Sequence, residues 1–583
     1  MKKLLNAAIM AIILLAFSQR KGDCQNFRTN LEAGFLNPPA SAKPRVWWHW
    51  MNGNIIKDGI RKDLEWMNRI GIGGFQNFDA AFMTPQIVEK RLVYMTPEWK
   101  EAFRFTTDLA VSLGFEMAIA GSPGWSESGG PWIPAAEGMK KYLWSETTVE
   151  GGKNFQGQLP HPPVTSGPFQ NLSQNNPLPL GEEKIEIPQF YGDAAVVAYK
   201  TSDEDLSLIE LNPKVTSSGG KFTLEMLTNG DLATTTLLPA APTGKSSWIQ
   251  FEFDQPQTIY SISMVGGGNP GRFGFGNSRE MRTLESSSDG KTFNRISDIP
   301  VGGIAQNTIT FQPVTAKFFR VSITLPKPPD NIDPSGGLLG IRQDFSRQPS
   351  GTEIAEIALH TVPRIHRFEE KAGFSVVTNA EELFTPEIAS EQSINKYQVI
   401  DLTNALNEDG SLNWTPPEGK WKILRLGYSL TRHQNSPASP EATGLEVDKL
   451  NPDFVRNYFT NYLDQYRDAT GGRMGAKGLQ FVITDSWEAG TANWTDHMIQ
   501  EFNKRNSYDI IPWLPILTGK IVKSSKASDK FLWDFRNTLE EMVTEYHYDE
   551  LTSILKERGM GRYTESHENG RLQLRFSECG RHR

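Results

Sequence analysis

Cysteine is nearly absent. Cys24 and Cys579 are the two in 583 residues, too few and too far apart in sequence for a disulfide framework or a cysteine metal cluster. Also lacking is any block of Lys and Arg outside the last dozen residues. With 60 basic against 68 acidic residues and a formal charge of -8, the composition argues against a nucleic-acid partner. No run beyond the N-terminus is long and apolar enough to cross a bilayer, and neither GxGxxG nor GxxxxGK[ST] follows a candidate strand, which weakens a nucleotide-binding reading. Aromatics, in contrast, are plentiful: 15 Trp, 14 Tyr and 32 Phe. Many of the Trp stand beside Gly, Pro or His and not inside periodic apolar segments. Rings placed so serve carbohydrate sites, where the C–H face of a sugar packs on an aromatic plane, and they serve ordinary cores equally well.

The first residues, "MKKLLNAAIMAIILLAFSQRKGDC", place two lysines before an apolar run from Leu4 to Phe17. That pattern reads as a secretory signal peptide over 1–23, with export to the periplasm or cell surface as its consequence. Asp23 stands where a lipoprotein signal wants a small residue, which disfavours lipidation of Cys24.

From 24 to 137 the chain alternates strand and helix. "RVWWHW" (45–50), "GGFQNF" (73–78) and "FEMAIAG" (115–121) read as strands. Ile60, Leu64 and Met67 recur at helical spacing. A second helix is capped by Thr96 and Pro97, carries Trp99, Phe103 and Ala110 on one face, and stops at Gly114. The expected fold class is α/β, with a parallel sheet closed as a (β/α)8-type barrel or doubly wound. Between 138 and 430 the texture changes to short alternating strands and turns, read as a large all-β insertion. "SSWIQFEFD" (246–254), "SSSDGKTF" (286–293) and "AKFFRVSITL" (316–325), with "TNGDLATTT" (228–236), resemble a discoidin-type β-sandwich over 215–360, favoured here as a buttress over a glycan binder. The α/β texture resumes over 431–570, with a helix from Asn451 and Pro452 that bears Val455, Tyr458, Phe459 and Tyr462. A long helix with Phe531, Phe535, Leu539, Met542 and Tyr546 on one stripe follows.

Two strands of that second part end in acids: "FVITDSWEAG" (481–490) and "GRYTESHENG" (561–570). In a barrel, strand C-terminal ends share one mouth, so Asp485, Glu488, Glu565 and Glu568 would converge. Two carboxyl groups, one protonated and one ionised, are the equipment for glycoside hydrolysis. Trp487 and the apolar strand favour a raised pKa at Glu488 and so a general acid there. Against this stands a surface turn with incidental acids.

The motifs "PRVWWHWMNGN" (44–54), "GIRKDLEWMNRIGIGGFQNF" (59–78), "GSPGWSESGGPW" (121–132), "GLEVDKL" (444–450), "TDSWEAGTANWT" (484–495) and "YTESHENG" (563–570) together resemble glycoside hydrolase family 106, the α-L-rhamnosidases. The resemblance implies removal of terminal rhamnose from plant-type glycans by inversion, with a calcium ion helping to hold the sugar. It matches Glu488 to the general acid and leaves the base, or a calcium-site role, between Glu565 and Glu568. Site residues expected around the sugar are Trp48, His49, Trp50, Trp125, Asp485, Trp487 and His567. The tail 571–583 carries no family motif and reads as a truncated or frame-shifted end. On that reading the barrel is incomplete at its C-terminus and the stripe from Phe531 to Met542 is left partly uncovered. Competing expectations are an inactive or merely glycan-binding fragment, and a purely structural calcium site.

Overall fold

The computed structural model describes residues 31–82, 84–173, 188–242, 244–266, 280–301, 304–325, 350–375, 377, 383–487 and 489–564. Strand β1 (Arg45–Met51), helix α1 (Lys57–Arg69), β2 (Gly74–Ala80), α2 (Pro97–Leu113) and β3 (Glu116–Ala120) open the fold. Local rules set their limits. Ile60, Leu64 and Met67 are the buried residues of α1. Thr96 caps α2 by accepting the Trp99 N–H at 3.4 Å, and the helix ends on Gly114 at φ +71°, a left-handed conformation that suits a residue without Cβ.

An excursion follows. It contains β4 (Lys140–Glu150), β5 (Tyr191–Lys200), β6 (Lys214–Ser217), β7 (Thr236–Pro239), β8 (Ser246–Gly266), β9 (Met281–Ser287), β10 (Asn294–Ile299), β11 (Gln306–Thr324), β12 (Gly351–His360), β13 (Ile400–Asp401) and β14 (Lys420–Leu430). The chain then forms α3 (Pro452–Ala469), β15 (Phe481–Thr484), α4 (Met498–Asn506), α5 (Ser525–Val543), α6 (Glu550–Glu557) and β16 (Gly561–Thr564).

Three main sheets result. The first runs β1-β2-β3-β15-β16, and every neighbouring pair in it is parallel. β3 and β15 are therefore neighbours in space although the whole excursion separates them in sequence. Parallel pairing needs crossovers, and α1, α2, α3 and α6 cover one face of this sheet with a shared apolar core. On α3, Val455, Tyr458, Phe459 and Tyr462 are all buried, each such burial stabilising by roughly 1.5–3 kcal/mol. The excursion builds a seven-stranded antiparallel sheet (β10-β9-β11-β8-β12-β7, with β6 on β8) and a four-stranded one (β13-β5-β14-β4). It leaves along β4 and returns along β14, paired from Lys140↔Leu430 to Glu150↔Lys420.

The stripe on α5 departs from expectation. Phe531, Phe535, Leu539 and Met542 are at most 4% exposed. They are covered not by the parallel sheet but by the four-stranded sheet side, where Phe535 meets Tyr142 of β4 at 6.4 Å and Trp494 at 6.5 Å. The expectation of an uncovered stripe is corrected: the layer it buries against comes from the excursion.

Candidate active site

Because β1, β2, β3, β15 and β16 are parallel, their C-terminal ends lie along one edge of the sheet. The register sets Thr484 opposite Thr564, and their hydroxyls hydrogen-bond at 3.1 Å. The segments headed TDSWE and TESHE thus leave adjacent strands at the same level. Glu488, Glu565, His567 and Glu568 themselves lie outside the described residues.

Period-two geometry splits the aromatic run of β1 between two faces. Trp48 and Trp50 point toward the helices. Trp48 donates its indole N–H to Asp63 of α1 at 3.1 Å, and Trp50 packs on Trp99 and Phe103 of α2 at 5.5 and 5.8 Å. Their expected place around a sugar is corrected, since both are core side chains. His49 and Trp47 point to the opposite face, where Phe78, Ala120, Ile483 and Tyr563 gather. There His49 stacks on Phe78 at 5.0 Å and its Nε2 accepts the Trp125 indole N–H at 3.1 Å. Burial holds the imidazole below its usual pKa, in keeping with an acceptor nitrogen. His49 and Trp125 are therefore brought together.

Asp485 is buried, and one of its oxygens accepts the Ser486 N–H at 2.8 Å. Trp487 folds back to donate to the Gly490 carbonyl at 2.7 Å. Gly490 sits at φ +68°, and a Cβ there would come within 2.2 Å of the His433 ring. The strand thus ends in a compact turn against His433.

Beside this turn lies a group of charges that no sequence motif announced. Lys449, 5.1 Å from the Trp487 ring centre, donates to Glu446 at 2.7 Å. The same Glu446 oxygen accepts from Ser128 at 2.5 Å, while Glu446 Oε1 is buried with no hydrogen-bond partner among the described residues. Next along the 121–130 loop, Glu127 accepts from the Tyr548 hydroxyl at 2.6 Å and lies 3.3 Å from His547 Nε2. His547 and Tyr548 belong to a π-helical turn, Thr544–Asp549, a geometry frequent at functional sites. Burial lowers the His547 pKa more than the nearby Glu127 raises it. Tyrosines of α3 hold the loop's backbone: Tyr458 donates to Gly121 and Gly129 at 2.8 and 3.2 Å, and Tyr462 to Ala120 at 2.8 Å.

Among the described residues no three His, Cys, Asp or Glu side chains form a group that could hold a metal ion. The described donors alone do not make a site for the implied calcium.

A family model described as alpha-L-rhamnosidase matches residues 36–576. The chain belongs to glycoside hydrolase family 106. A solved rhamnosidase from Novosphingobium sp. PP1Y is 41% identical, with a TM-score of 0.79 over 92% of this chain and 47% of its own. A protein of Formosa agariphila, provisionally named a beta-glucuronidase, is 25% identical over 552 residues, 95% of this chain and 32% of its own. The chain spans just under half of the first relative and about a third of the second. Among the described residues no helix is long and apolar enough to cross a membrane.

Glu127, Glu446, Lys449 and His547 are the residues that sequence reasoning missed. The first three stand inside "GSPGWSESGGPW" and "GLEVDKL", segments already singled out, and a carboxylate inside a Gly-rich or apolar segment was the available signal.

Proposed function

We propose that the chain is the catalytic part of an exported α-L-rhamnosidase that removes terminal rhamnose from plant-type glycans. The observation that carries the reading is the register Thr484↔Thr564, which starts both acidic segments side by side at one end of the parallel sheet. Five parallel strands in consecutive order, with helices on one face, support a (β/α)8-type barrel as the full architecture. The seven-stranded antiparallel sheet, spanning the segments expected of it, supports the discoidin-like module.

In this reading Glu488 protonates the glycosidic oxygen as the bond to the leaving group breaks. Glu565 or Glu568 takes a proton from the water that attacks the opposite face, and the anomeric configuration inverts. Trp125 with His49 forms an aromatic and hydrogen-bonding wall for the sugar. Lys449 fixes Glu446 and the Trp487 ring, which orients the turn that carries Glu488. Calcium enters only as the family resemblance implies it. Chelation followed by calcium add-back tests it, since loss and recovery of hydrolysis keep the ion in the reading and indifference removes it.

Glu488→Gln tests the reading directly. On rhamnosides with poor leaving groups kcat is expected to fall by orders of magnitude, because the leaving oxygen then departs unprotonated, while activated aryl rhamnosides lose far less. Equal losses on both would take the acid role away from Glu488.

A further inference from the structure

Away from the strand ends, a cavity of about 200 Å³ lies where the seven-stranded sheet, the four-stranded sheet and the segment after Thr518 meet. It is far larger than the roughly 30 Å³ that one water occupies, and smaller than the roughly 300–1,000 Å³ of drug-sized pockets. One ring-sized molecule fills such a space. Trp144 and Glu146 reach it from β4, Ser263 from β8, Glu356 from β12, and Arg364 and Lys520 from the turns beyond.

Lys520 is the least satisfied of these groups. Its side chain is 9% exposed, and its one ion-pair contact is Glu146 Oε2 at 3.8 Å, too long for a hydrogen bond. Asp205 also acts on it through its charge, and among the described residues no hydrogen bond of its ammonium is found. Burial, with Arg364 nearby, outweighs the Glu146 and Asp205 carboxylates and pushes its pKa down to about 7. Arg364 is similar: among the described residues its side chain makes one hydrogen bond, from Nη2 to Asp205 at 2.9 Å, out of five N–H donors. On the acceptor side, Glu146 receives a long bond from Tyr199 at 3.3 Å, and Glu356 Oε1 accepts the Gly230 N–H. Burial pushes the Glu146 carboxyl up, but Lys520, Lys422 and Arg364 outweigh it and hold it ionised. Burial likewise raises the Glu356 carboxyl. His360, which also lines the cavity, is held neutral by burial and by those cations, and its Nε2 is engaged with Ser263 at 2.8 Å.

The walls thus offer surplus cationic donors, carboxylate acceptors and a half-buried indole. A small inorganic anion answers the donors alone. A neutral sugar answers the acceptors and the indole. A molecule that answers all three needs its own carboxylate, several hydroxyls and a C–H face. We propose that this cavity binds a single uronic acid residue, its carboxylate on Lys520 and Arg364, its hydroxyls on Glu146 and Glu356, and its ring against Trp144. The site is separate from the strand-end site and does not depend on what is hydrolysed there.

Titration of the full chain with D-galacturonate, with D-galactose and acetate as controls, tests the proposal. Galacturonate is expected to bind at least tenfold more tightly than either control. Lys520→Met is expected to weaken it at least tenfold and to leave hydrolysis of aryl α-L-rhamnosides unchanged. Wild-type protein gives a second reading that needs no variant. Acetylation of Lys520 by acetic anhydride, followed by peptide mass spectrometry, is expected to slow several-fold with galacturonate and not with galactose. Equal binding of galactose or acetate, unaltered binding in folded Lys520→Met, or labelling indifferent to galacturonate would each overturn the proposal.

Discussion

Lys449→Met isolates the charge that ties the 444–450 segment to the turn that bears Trp487. The Lys449 and Glu446 side chains are 1% and 0% exposed, so solvent screens the pair little, and Met keeps most of the aliphatic stem beside Met139 while removing the ammonium. Among the described residues Glu446 would retain Ser128 on Oε2 and no partner on Oε1. Removing one partner of a buried pair costs about 3–5 kcal/mol, because the other charge stays behind. The Trp487 ring would also lose a cation, worth about 0.5–2 kcal/mol. Glu446→Gln combined with Lys449→Met leaves no orphan charge, and the double variant is therefore expected to be more stable than Lys449→Met alone. The assay is urea unfolding combined with hydrogen–deuterium exchange of the 121–130 and 444–450 segments, so that the loss is read where the pair sits. Rhamnoside kinetics on the same samples are expected to show kcat/KM reduced in both variants, since both release Trp487. A single variant as stable as wild type, or a double variant whose loss equals the sum of the singles, would refute the reasoning.

Trp50→Ala is expected to cost about 3–5 kcal/mol by leaving a cavity against Trp99 and Phe103, with KM unchanged in what remains folded; a raised KM would return Trp50 to the sugar. His49→Ala is expected to lower kcat/KM with a smaller change in melting temperature, because it frees the Trp125 indole on the opposite face. Burial raises the Asp79 carboxyl to about 7, against the hydrogen bond from Trp99 that lowers it. With the unfolded value near 4, the folded state holds the proton more tightly, so this group's stabilising contribution is present below about pH 4 and is lost as pH rises toward 7. Asp79→Asn is therefore expected to flatten the melting-temperature profile between those values, and an unchanged profile would count against the raised carboxyl.

Local signals carried much of the parallel part. Thr96 with Pro97, Gly114, and the Ile60-Leu64-Met67 spacing involve residues within one turn or one helix of each other, and each element formed where those residues placed it. The alternation in "RVWWHW" divided the run between two faces but could not say which faced the helices. Only the pairing of β1 with β2, and the arrival of Trp99 and Phe103 on α2, decides that. Glu127, Glu446 and His547 were illegible for a related reason. Charged residues are almost never fully buried unless paired, and apart from Lys449, three residues from Glu446, the partners stand far away in sequence: Ser128 and Glu446 are 318 residues apart, Glu127 and Tyr548 are 421 apart. No window of sequence contains both members. The α5 stripe shows the converse, since its period was plain and the layer it buries against was not.

The excursion is more than an attachment to the parallel sheet. Lys140, the first residue of β4, is fully buried and donates to Asp448 at 3.2 Å, with the rings of Phe454 and Phe190 at 4.9 and 5.6 Å. Asp448 also accepts from Thr495 at 2.7 Å, just past the turn that bears Trp487, and stands two residues from Glu446. A single ammonium on the excursion's first strand thus fixes both the segment that bears Glu446 and Lys449 and the segment that follows Trp487. β14, returning beside β4, leads within a few residues to His433, whose ring bounds Gly490. Both strands that join the excursion to the parallel part therefore end beside the turn that bears Trp487. Interactions with one buried charge resist displacement because moving either partner exposes an uncompensated ion in a low-dielectric interior. Rigid placement of the turn thus rests on the all-β region as much as on the strands themselves.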